Sequence, residues 1–182
     1  MPPGHAWRDP GAVGAPVQPW ARAAAWACLL LPMPSVIWRV AMLLGADVGF
    51  ADADAFRGDP GLTAYVLGLD VTEVAVGVLC LGLIMRWGEV VPRWVPGLGG
   101  RVIHRLVPTV IGGVGNVTLY AIMAGLAAAF VPVWLGQRAG WTPDRGMDSG
   151  QRAVLLVCYV PFFLWPVAIT PALVGYWRRR SA

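Results

Sequence analysis

The sequence predicts an all-α integral membrane protein, a four-helix bundle, and three observations predict it. Of 182 residues, 57% are hydrophobic and only 13% charged, where a soluble domain carries roughly a quarter charged residues. Mean hydropathy is +0.61. Apolar runs in four places each reach the ~20 residues that a helix needs to cross hydrocarbon, and none has the period-two alternation of a barrel strand.

Residues 1–19 are rich in Pro, Gly and Ala, show no apolar periodicity, and read as a flexible N-terminal tail. Residues 20–180 then form one transmembrane domain. Span one covers about 20–44, interrupted by Arg22 at its edge and Arg39 inside. Ala51 and Ala53 make an A-x-A pattern, so a cleaved signal peptide competes. Against it, the apolar run Ala23 to Trp38 already reaches the upper limit of a signal core and the span continues beyond Arg39. Span two covers 62–85, span three 106–133 and span four 153–177. Pro161, Pro166 and Pro171 recur through span four, which predicts a kinked helix with freed carbonyls. No internal repeat or inverted similarity is visible.

Orientation follows from arginine, the only basic residue type besides histidine. Nine of the fourteen arginines lie in the N-terminal segment (Arg8, Arg22), between spans two and three (Arg86, Arg93, Arg101, Arg105) and after span four (Arg178, Arg179, Arg180). The excess of positive charge predicts a cytoplasmic-membrane protein with both termini in the cytoplasm. Trp20, Trp87, Trp94, Trp134 and Trp177 stand near span ends, as interfacial anchors do.

The segment from Arg86 to Arg101 reads RWGEVVPRWVPGLGGR. It resembles a stretch of small multi-pass membrane proteins of actinobacteria that have no assigned activity, so the resemblance implies a family and not a function. Pro92, Pro96 and the glycines at 88, 97, 99 and 100 prevent a continuous helix. Arg86, Trp87, Glu89, Arg93, Trp94 and Arg101 of this cytoplasmic loop are expected to meet headgroups, anionic lipid or a docked partner.

Charges inside the spans point to the site, because an ionisable group at bilayer depth costs a few kcal/mol or more and is usually paired or functional. With the outer span ends near Leu44 and Leu62, Arg39 lies roughly 7 Å deep, Asp70 roughly 12 Å and Glu73 roughly 16 Å. The arginine side chain leans toward its helix N-terminus, toward the acids. Asp70 and Glu73 share a helix face, continued by Gly77 and Cys80, and Gly77 permits close approach of a neighbouring helix. Asn116 and Tyr120 share a face of span three, Ser35 lies one turn before Arg39, and Tyr159 lies at a similar level of span four. One buried polar cluster of Ser35, Arg39, Asp70, Glu73, Asn116, Tyr120 and Tyr159 is therefore expected. It reads either as a structural ion pair that fixes helix register or as a proton- or cation-handling site, since two carboxylates exceed one arginine.

Other chemistries lack their residues. Cys28, Cys80 and Cys158 sit in separate spans without a CxxC and read as buried small hydrophobes. His5 and His104 lie outside the spans, where they offer no transmembrane haem ligation. Asp47, Asp52, Asp54 and Asp59 do not match a Ca²⁺ loop, and no Ser/His/Asp set, HExxH or Walker loop occurs. No metal or cofactor is expected, and the arginines form no stripe for nucleic acid. The first reading is a non-enzymatic accessory or scaffold protein with a lipid, self or membrane-protein partner. A small ion-coupled transporter or channel subunit is second, and a lipid enzyme third.

Overall fold

The computed structural model describes residues 16–181. The predicted tail, up to residue 15, and with it Arg8 and His5, falls outside the described residues. The helices are α1 (Pro19–Leu30), α2 (Met33–Leu43), α3 (Ala53–Gly58), α4 (Pro60–Gly82), α5 (Leu106–Trp134), α6 (Ser149–Phe163) and α7 (Trp165–Ser181). No strand forms among the described residues; Val90 and Val102 make an isolated antiparallel bridge. Among the described residues, four stretches are long and apolar enough to cross a membrane: Pro19–Leu43, Pro60–Gly82, Leu106–Trp134 and Ser149–Ser181. The protein is an all-α bundle of membrane character.

Proline punctuates the spans. Span one is two helices rather than the single helix expected over 20–44, because Pro32 has no N–H to bond the carbonyl four residues back. That freed carbonyl, of Cys28, accepts instead from the Trp165 indole N–H at 2.7 Å. The Ser35 hydroxyl donates to the Pro32 carbonyl at 2.8 Å, closing the break locally. Span four bends at Leu164, between α6 and α7, two residues before Pro166. Helix starts are equally specific: the Asp59 carboxylate accepts from the Gly61 and Leu62 amides with Pro60 at the first position, and Asp148 with Gln151 forms a capping box on α6.

Packing follows a row. α1 lies against both α4 and α7, α2 against α4 and α6, and α5 mainly against α7. Laterally the order is span three, four, one, two. Small residues bring α1 onto α7, with Gly175 against Ala21 and the Trp20 ring. One core joins α1, α4 and α7 through Ala25, Cys28, Cys80, Trp165, Ile169 and Tyr176. A second, at the opposite end, gathers Trp38, Met42, Ala53, Met147 and Leu155, with Phe50, Phe56 and Tyr159 packed on it.

The 86–105 loop is held by α7. Glu89 is buried and ion-paired with Arg179 at 2.5 Å. Tyr176 donates to the Gly88 carbonyl, Arg179 to that of Leu83 and Arg180 to that of Ile103. Arg105 lies over the Trp177 ring, 4.8 Å from its centroid, and donates to the Ser181 hydroxyl. Arg179 and Arg180 of the C-terminal arginine run are thus spent on the loop and its approach, while Arg178 stays exposed.

Candidate functional site

The site forms where α2 meets α4, between the two cores. Arg39 projects from α2, one residue after Trp38, and is 8% exposed; Asp70 and Glu73, one turn apart on α4, are 5% and 7% exposed. Arg39 Nε donates to Asp70 Oδ1 at 2.6 Å and Nη2 to Glu73 Oε2 at 2.5 Å. One guanidinium therefore clamps two successive turns of α4, a use of its fixed donor fork that a lysine would not reproduce. The second oxygen of Asp70, Oδ2, is buried with no hydrogen-bond partner among the described residues. Tyr159 of α6 turns its hydroxyl toward the same guanidinium.

Gly77 makes this geometry reachable. A Cβ there would stand 3.0 Å from Leu29 Cα and 3.2 Å from the Cys28 carbonyl oxygen, so α1 and α4 touch backbone to side-chain position one turn below Glu73. The same approach pairs Cys28 with Cys80 in the core shared by α1, α4 and α7. Separate spans concealed that pairing in the sequence.

An aromatic cover closes the other side. Trp38 meets Phe50 and Tyr159 edge to face, with centroids 6.2 and 5.6 Å apart, and Phe50 meets Trp141 at 6.4 Å. The segments flanking α3 and preceding α6 thus cap the ion pair together. Three of the four aspartates near α3 serve local structure: Asp47 accepts from the Gly49 amide, Asp54 pairs with Arg57 at 2.8 Å, and Asp59 caps α4. Asp52 precedes α3 as its N-terminal flanking residue.

The structure divides the expected polar cluster in two. Arg39, Asp70, Glu73 and Tyr159 come together, while Ser35 is buried and bonds its own helix. Asn116 and Tyr120 belong elsewhere. Asn116 Nδ2 donates to Thr170 Oγ1 at 2.9 Å, and the Tyr120 hydroxyl lies 3.3 Å from the same oxygen. Thr170 donates to the Pro166 carbonyl, so Tyr120 supplies the hydrogen in its contact. Thr170 follows Tyr159 by about 16 Å of helical rise, which places this second group deeper along span four. An Asn and a Tyr one turn apart on an apolar helix demand a partner, but nothing in the sequence singles out Thr170.

In the 86–105 loop, Glu89 is the residue that turns inward. Trp87 packs its ring on Gly82, and Arg86, Arg93, Trp94 and Arg101 are exposed. Surface hollows lie at residues 86–93 and 45–57, and neither is lined by Asp70 or Glu73. Comparison with protein-family models, with curated proteins and with solved structures finds no match.

Proposed function

We propose that the protein is a non-catalytic accessory or scaffold protein of the cytoplasmic membrane, with both termini inside, whose ion-paired cluster holds spans one and two in register. One observation carries this reading: Arg39 binds both acids at once, at 2.6 and 2.5 Å, so each carboxylate is engaged through one oxygen by the same guanidinium. The cover formed by Trp38, Phe50 and Tyr159 supports it. The arginine asymmetry supports the orientation.

A second reading, a proton- or cation-coupled transporter or channel subunit, is favoured by one observation. Two acids face one arginine, and Asp70 Oδ2 has no partner among the described residues. Intramembrane acids of that kind mark ion pathways in transport proteins. Reconstitution separates the two readings. In liposomes with an imposed proton or cation gradient, the scaffold gives no flux above empty vesicles, and dicyclohexylcarbodiimide, which modifies protonated buried carboxyls, leaves Asp70 and Glu73 unlabelled. Flux abolished by Glu73→Gln in a folded protein would replace the scaffold with the transporter.

A further inference from the structure

The loop that follows α4 carries a second feature, independent of the buried ion pair. Arg86, Trp87, Val90, Val91, Pro92 and Arg93 line a surface hollow of about 450 Å³. Arg86 and Arg93 are exposed, and neither has an ion-pair or side-chain hydrogen-bond partner among the described residues. The nearest acid in the chain, Glu89, is buried and committed to Arg179, so it does not neutralise them. The hollow thus joins two uncompensated cations to an apolar wall.

Its walls are built rather than incidental. Gly82 and Gly88 approach so closely that a side chain at Gly88 would strike the Gly82 carbonyl, and the Trp87 ring lies over Gly82. Tyr176 fixes the Gly88 carbonyl from α7, and the Val91 and Ile103 amides bond the Arg101 and Glu89 carbonyls across the loop. The hollow begins four residues beyond the end of a membrane-length helix, the level at which headgroup phosphates lie, with Trp87 and Trp94 as neighbours.

We propose that this hollow binds the phosphate of an anionic glycerophospholipid, with Arg86 and Arg93 on the phosphate oxygens and Val90, Val91 and Pro92 against the glycerol and upper acyl chain. Arginine supplies the forked donors that phosphate geometry favours. The apolar lining selects a lipid over a free anion, which would leave half of the hollow uncovered.

Native mass spectrometry of the full chain in detergent tests this with added phosphatidylglycerol, phosphatidylcholine or inorganic phosphate. One phosphatidylglycerol is retained in preference to phosphatidylcholine, and inorganic phosphate does not displace it. Each juxtamembrane arginine contributes roughly fivefold in affinity, so Arg86→Gln with Arg93→Gln loses about twenty-five-fold. Arg178→Gln, exposed but outside the hollow, changes retention less than either single variant. The single variants, at roughly fivefold each, carry the test if the double variant does not fold. Equal losses from Arg178→Gln would overturn the site in favour of diffuse charge, and displacement by inorganic phosphate would overturn the lipid assignment.

Discussion

Arg39 of α2 and Glu73 of α4, 34 residues apart in the chain, are joined at 2.5 Å, and the same guanidinium holds Asp70 at 2.6 Å. The three charges are one unit. Attraction between partly desolvated charges offsets the cost of removing them from water only while every member is engaged. Deleting one partner therefore costs more than deleting the whole set.

Arg39→Ala should lower stability in detergent by about 3–5 kcal/mol, the range for breaking a buried pair. Replacing Arg39 and Asp70 together should recover only part of the loss, because Glu73 stays behind unpaired. The triple apolar variant Arg39→Met, Asp70→Leu, Glu73→Leu should recover most of it. Melting curves of the three variants check the order, and additive losses would show that the charges do not act on one another.

Gly77→Ala should destabilise by about 1–3 kcal/mol, because the new methyl meets Leu29 Cα and the Cys28 carbonyl, neither of which can swing aside. Gly113→Ala is the control: its added Cβ meets nothing within 4 Å. The melting temperature should fall for the first variant and hold for the second.

Acid should loosen the cap beside α6 through Asp144. Burial pushes this carboxyl up, but the Trp134 indole N–H at 2.8 Å, Thr142 and the Arg152 guanidinium at 2.9 Å outweigh it and hold it below the usual carboxylate value. Its stabilising contribution is complete above that usual value, about 4, and is lost as pH falls through the depressed one. Melting temperature measured across the acid range should drop more steeply for the parent than for Asp144→Asn.

Cysteines introduced at Asp54 and Arg145, both exposed, should react with an impermeant maleimide from outside intact cells, and those at Leu98 and Ser181 only after lysis. The arginine distribution sets this expectation. Labelling at Leu98 in intact cells would invert the orientation.

Much of the fold was legible because hydropathy and length decide it: the described spans Pro60–Gly82 and Leu106–Trp134 begin or end within a few residues of the apolar runs. Arg39, Asp70 and Glu73 stood out for the same reason, as charges in lipid-like surroundings. Pro32 is visible in the sequence, but the apolar run continues on both sides of it and hides the break between α1 and α2. Its consequence, a freed Cys28 carbonyl taken by Trp165, depends on a contact 137 residues away. Asn116 and Tyr120 were recognisable as needing a partner, yet depth alone assigned them to the Arg39 layer; lateral helix order, which depth does not encode, gave them Thr170. Glu89 looked like one more loop charge, because only the approach of α7 shows that it is buried.

The clasp between the 86–105 loop and α7 also imposes an order of assembly. Gly88 and Tyr176 are separated by 88 residues, so the ribosome releases the loop well before the hydroxyl that holds it exists. Until α7 inserts, Glu89 has no Arg179 to neutralise it, and α1 lacks the helix that covers Ala21 and Ala25. Insertion of α7 thus completes both the packing of α1 and the loop's shape in one event. A nascent chain stalled before Trp165 should therefore expose its loop to protease, and one extended through α7 should protect it.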